Sequence, residues 1–160
     1  MAVISNGTTI ADAGAFSVSL GSMVLIKTLT ASSSSTLSFV HGSSSVVLDS
    51  TYPIYLFKFT SIHPSTDGVD FTFQGSTDTG SSYGLTTTST YFNNYANEAG
   101  TATALTYETV ADNPNNTGEI ELIREEKLSA DNDHCGSGEL YLFNPSAVSY
   151  THLRAHETRS

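Results

Sequence analysis

The sequence predicts an all-β protein, built as an antiparallel β-sandwich or jelly roll. Three observations predict it. Two central runs alternate apolar and polar residues with the period of two that a half-buried strand requires. Tyr55, Phe57 and Phe59 stand against Lys58 and Thr60, and Val69, Phe71 and Phe73 stand against Asp70, Thr72 and Gln74. The composition is rich in Ser, Thr, Gly and Asn and poor in Lys, Arg and Glu, which favours strands and turns over helices. About eight or nine short strand-like runs are separated by turn clusters, and no amphipathic helical stretch interrupts them.

Residues 1–22 read as an N-terminal arm, in which Asn6-Gly7 closes a short hairpin between Val3-Ile4 and residues 8–10. Residues 23–147 read as the sandwich domain. Its first strand spans 23–30, and Met23, Val24, Leu25 and Ile26 make it apolar on both faces, as a strand covered on both sides would be. Strands are expected at 36–40 and, as a short strand or edge, at 46–48. The two central runs are joined by His63-Pro64-Ser65-Thr66-Asp67-Gly68. Pro64 withholds a ladder donor and Asp67-Gly68 signals a turn. The pattern predicts an antiparallel pair whose aromatic faces meet in one core. Further strands are expected at 83–92, 103–110, 119–123 and 139–143, and a single helical turn at 124–130.

The formal net charge of −10 disfavours binding to nucleic-acid phosphates. The single cysteine, Cys135, excludes an internal disulfide. No apolar run approaches membrane-spanning length, and no basic segment followed by an apolar one opens the chain. Neither membrane insertion nor a secretory leader is expected.

Asp131, Asn132, Asp133, His134 and Cys135 form the densest group of metal-ligating types. Zinc lacks enough ligands there, and the spacing is not that of an EF-hand loop. Asp67, Asp70 and Asp78 flank the central runs and, with Asp131 and Asp133, are the calcium candidates. The competing reading is that they form turns and solvated loops, so no metal or cofactor is expected. Among the tyrosines, whose rings can stack on a sugar, Tyr55 belongs in the core. Tyr91 and Tyr95, beside Asn93 and Asn94, are the better surface candidates for ligand contact. His41 and His63 have no neighbour that suggests a nucleophile or relay, and no G-x-S-x-G elbow occurs. The chain does not read as an enzyme; a hydrolase would need carboxylates paired at one site.

Residues 148–158, VSYTHLRAHET, resemble the translation of a transposase adaptor used in sequencing libraries. Residues 148–160 are therefore set aside as a non-native tail, which points to an assembled environmental sequence. Setting aside Arg154, Arg159 and Glu157 takes the formal charge from −10 to −11.

Five segments carry a second resemblance. They are Thr30-Ala31-Ser32 with residues 36–39; Asp49, Thr51, Tyr52, Tyr55, Phe57 and Phe59; the connector at 61–67; Phe71 to Asp78; and Gly138 to Ser146. Together they resemble a family of virion proteins from tailed phages, especially those of marine bacteria, over roughly residues 21–146. The resemblance implies a jelly-roll component of a tail fibre, tail tip or other virion surface, made in the host cytoplasm. It implies other virion proteins as partners, a homo-oligomer (a trimer if a fibre) and contact with a host surface glycan, and it supplies no catalytic residue. Such proteins continue past the Leu-Phe-Asn-Pro-Ser strand, so the sandwich is expected to be incomplete and Phe57, Phe59, Phe71 and Phe73 only partly covered. The alternative is a carbohydrate-binding module of a viral or secreted bacterial protein.

Overall fold

The computed structural model describes residues 3–5, 8–12, 15–16, 23–96, 99–131, 134–146 and 152–159. These residues form an all-β chain in which every strand pair is antiparallel. The one helical element among them is a 3-10 turn at Thr109–Ala111. At the N-terminus β1 (Val3–Ser5), β2 (Thr8–Asp12) and β3 (Ala15–Phe16) make a small sheet of their own. Its first pair joins Ile4 to Thr9 and Ser5 to Thr8, the hairpin that Asn6-Gly7 predicts; those two turn residues lie outside the described set.

The two central runs become β4 (Ile54–Ile62) and β5 (Val69–Phe73). They are not partners. β4 pairs with β11 (Gly136–Phe143), and β5 pairs with β10 (Ile120–Leu128). The expected hairpin is thus corrected: the connector carries the chain from one sheet to another. The expected meeting of aromatic faces holds, but between sheets. Phe59 and Phe71 lie 5.0 Å apart edge to face, and Phe57 and Phe73 lie 6.4 Å apart. Such ring pairs contribute about 0.5–1.5 kcal/mol each beyond the area they bury. All four rings are half-buried, whereas Tyr55, Leu122, Ile123, Leu128 and Leu140 are buried.

A bulge explains why consecutive residues Leu122 and Ile123 are both buried. The register slips between Glu121↔Thr72 and Ile123↔Phe71, so Leu122 is extra and the period of two is broken there. Ile123 then comes so close to Gly136 that a Cβ on Gly136 would sit 2.4 Å from its Cδ1. Small size at Gly136 is what lets β11 approach β10. β10 runs on through Leu128, so the helical turn expected at 124–130 is a strand instead; pairing with Val69 at Leu128 outweighs local helix preference.

Residues 23–30, 36–40 and 46–48, expected as strands, join no ladder. The second stretch follows a tight turn in which Gly42 N donates to Val46 O at 3.0 Å and Leu48 N donates to His41 Nδ1 at 3.1 Å. The run 83–92 yields only β6 (Thr87–Thr88), paired with β9 (Pro114–Asn116), and the start of β7 (Phe92–Ala96). β7 pairs with β8 (Thr103–Tyr107) in a separate ribbon. Finally β12 (His152–Arg159), within the adaptor-like tail, pairs with β11 over eight residues from Phe143↔His152 to Gly136↔Arg159. Ladder bonds are made by backbone groups, so an open edge accepts an extended segment whatever its origin.

Candidate functional site

An open polar cleft of about 670 Å³ lies beside the β5–β10 pair. Its floor follows from strand alternation. Phe71 and Phe73 point into the core, so Asp70 and Thr72 point out, and Glu121 stands opposite Thr72 on β10. Its wall is the segment from Val110 to Glu119. That wall hangs on Asn113, which is buried at 5 % exposure. Asn113 Nδ2 donates to Thr87 Oγ1 at 2.9 Å and to Gly118 O at 2.8 Å, while its backbone N–H donates to Ser89 Oγ at 3.1 Å. The wall is thus tied inward through Asn113.

Asp70, Asp112, Glu119 and Glu121 make the cleft acidic. Asp112 is committed to structure: its carboxylate accepts from Tyr91 N at 3.1 Å and from the Tyr107 hydroxyl. That hydrogen bond, followed by desolvation, raises the Tyr107 phenol above its ordinary value of 10.0. Glu121 Oε2 is buried and lies 3.0 Å from Arg124 Nη1, an ion pair without hydrogen-bond alignment.

Next to the cleft, through Asp112, stands the β7–β8 ribbon. Direct partners in an antiparallel pair share a face, so Phe92 with Tyr107 and Asn94 with Leu105 form one side. That side is open: Phe92 is 64 % and Leu105 75 % exposed. The Phe92 and Tyr107 rings lie 5.1 Å apart, tilted by 35°.

The sequence-predicted residues separate accordingly. Tyr91 is buried, and Arg124 N donates to its hydroxyl at 3.4 Å, so its place among the surface candidates is corrected. Asn93 and Tyr95 are half-buried on the Tyr91 side, and only Asn94 lies on the open face. Phe92 and Tyr107 were missed, although the signal was present: a period of two puts Tyr91, Asn93 and Tyr95 on one side and Phe92 and Asn94 on the other.

The carboxylates proposed for calcium do not converge. Asp78 accepts from the Ser76 hydroxyl at 2.6 Å, from Ser82 N at 2.9 Å and from the Ser82 hydroxyl within its own loop. These bonds, led by Ser76, hold its carboxyl well below the ordinary value. Asp67 accepts from Ala130 N at 2.8 Å and from Ser129 Oγ at 2.9 Å, and is lowered by them in that order. Ser129 Oγ also lies 3.1 Å from Asp131 Oδ2, and His63 Nε2 lies 2.8 Å from Asp131 O. Asp67, Asp131 and His63 therefore lock the connector to the loop after β10. Asp70 is apart from them in the cleft, and Asp133 lies outside the described residues. No group of three or more His, Cys, Asp or Glu placed to hold a metal ion occurs among the described residues. Comparison with family models, curated proteins and solved structures gives no significant match.

Proposed function

We propose that the chain is a structural β-domain of a phage particle surface, of tail-fibre or tail-tip type, that works through contact with neighbouring chains. The observation that carries this reading is apolar surface left open in a small domain. Met23, Leu25, Phe92, Leu105 and Val110 are each more than 60 % exposed. Phe92 and Leu105 share one face of the β7–β8 ribbon, and apolar surface grouped in this way marks association sites. The sheets of β4 and β5, touching through their phenylalanines, read as the two layers of an incomplete sandwich of jelly-roll type. The family-like residues support the scaffold: Tyr55 donates to Asp49 O at 3.0 Å and accepts from Asp49 N at 3.1 Å, and Thr51 N donates to Asp49 Oδ1 at 2.8 Å. Other virion proteins and further copies of the chain are the partners in this reading, and the virion is its location. Mass spectrometry of purified particles from a phage carrying this gene tests it. Peptides of the chain are expected at structural abundance, and their absence overturns the reading.

A second reading, carbohydrate contact, is favoured by the Phe92–Tyr107 pair. Two exposed rings beside an amide, Asn94, and a polar cleft offer stacking and hydrogen bonding to a sugar ring. The acidic lining favours neutral or amino sugars over acidic ones. Screening the 160-residue chain against immobilised glycans tests it, with Phe92→Ala as the control that must lose binding.

A further inference from the structure

We infer that residues 23–30 are a donated strand, which adds to the free edge of β4 in a second copy of the chain. The inference rests on the assembly reading above and names the segment and the edge that would make the contact. Residues 23–30 read MVLIKTLT, apolar on both faces at their start and with a β-branched residue at every second position, Val24, Ile26, Thr28 and Thr30. Among the described residues, their backbone groups make no hydrogen bond, and Met23 and Leu25 are 72 % and 83 % exposed. Only Ile26 and Leu29 are half-covered, and a strand-forming sequence with an unpaired ladder is an incomplete element.

The ring contact and hydrogen bond that anchor the segment lie at its far end. The Phe39 ring packs edge-on against Phe57 at 5.3 Å, and the Tyr83 hydroxyl donates to Ser38 Oγ at 3.1 Å. Upstream of that anchor, the chain back to Met23 can reach roughly 50 Å at about 3.3 Å per residue. A compact chain of this length has a radius of gyration near 15 Å, so the arm can pass beyond its own body. The acceptor is β4. It ends the sheet order β12-β11-β4, so among the described residues its second edge carries no ladder. Its nine residues match an eight-residue donor, and its inward rings Phe57 and Phe59 are half-covered. Every copy then carries one donor and one acceptor of matching length. Head-to-tail exchange satisfies both, by the same backbone pairing that lets β11 hold β12.

The experiment uses the 160-residue chain. Sedimentation measures self-association of the parent and of Ile26→Pro/Thr28→Pro, which removes two ladder donors from an exposed segment and leaves the core untouched, as circular dichroism checks. An oligomer that the prolines weaken at least tenfold is the expected result. In a Cys135→Ser background, two differently tagged chains, one Lys27→Cys and one Thr60→Cys, are mixed and oxidised. A disulfide joining the two tags is expected. An oligomer indifferent to the prolines overturns the donated strand but leaves assembly standing. A monomer at every concentration overturns both. A chain carrying both cysteines that crosslinks only within itself shows the arm closing its own edge, and overturns the exchange.

Discussion

Replacing Asn113 by Asp changes one atom group in the wall of the cleft and makes stability depend on pH in a stated direction. Asn113 Nδ2 faces Thr87 Oγ1 and Gly118 O at hydrogen-bond distance, with Glu119 O at 3.4 Å. An amide donates to the Thr87 hydroxyl and the two carbonyls, whereas a carboxylate is repelled by the carbonyls. Two lost bonds at roughly 1 kcal/mol each put Asn113→Ala at about 2 kcal/mol at any pH. The Asp variant differs because it can take a proton and donate again. Its folded pKa is therefore raised above the unfolded value of about 3.9. The folded state then binds more protons than the unfolded state, and stability falls as pH rises. The fall is roughly 1.4 kcal/mol per pH unit, starting at the unfolded pKa and ending at the folded one. A shift of about two units gives a loss near 3 kcal/mol, complete by about pH 6. Urea unfolding at pH 4 and pH 7 measures it: Asn113→Asp should lie close to the parent at the lower pH and at or below Asn113→Ala at the higher. A deficit independent of pH, or none at pH 7, refutes the claim that this amide's donors hold the wall.

Three further outcomes follow from the same geometry. Leu140 is 1 % exposed in the central strand of its sheet and Leu105 is 75 % exposed; Leu140→Ala should cost about 2–5 kcal/mol and Leu105→Ala less than about 0.5, measured by urea midpoints. Asp67 has a lowered pKa because Ala130 N and Ser129 hydrogen-bond its charged form, so its contribution is present above the ordinary value of 3.8 and lost as pH falls through the folded pKa; Asp67→Asn should flatten the acid limb of stability between pH 5 and pH 2 without changing the neutral side's slope. Phe92→Ala, at a site 64 % exposed, should leave the unfolding midpoint within about 0.5 kcal/mol of the parent while abolishing any glycan retention on an affinity column.

What the sequence made legible is what a period of two encodes. It fixed the inward rows of β4 and β5, the core place of Tyr55 and the absence of long helices. It could not see pairing over distance. The ladder of β5 lies with β10, about fifty residues on, and that of β4 with β11, about eighty on. It also took strand-forming composition at 23–30 for a paired strand, although pairing needs an edge and composition does not supply one. In the site, the carboxylates were sorted by proximity in sequence. The fold instead gives Asp78 to its own loop, Asp67 to the loop at 129–131, and Asp70 to a cleft with Asp112, Glu119 and Glu121.

The connector at 63–68 shows how narrow the margin was. A hairpin and a crossing between layers both need a proline-tolerant, turn-rich link, and both point the two aromatic rows inward. They differ in where the rings meet. In a hairpin, Phe59 and Phe71 would sit side by side on one face, about 5 Å apart at Cβ. Between layers, the backbones stand about 10 Å apart and side chains from both must fill the gap. Phe59 on β4 and Phe71 on β5 belong to separate sheets, and their rings meet edge to face at 5.0 Å. Shortening one ring tests that contact. Phe59→Leu should open a gap between layers and lower stability by about 1–3 kcal/mol, with Phe71→Leu adding little more because the contact is already gone. Equal and additive losses in the double variant would mean that the rings do not touch, and would refute the contact between the two sheets.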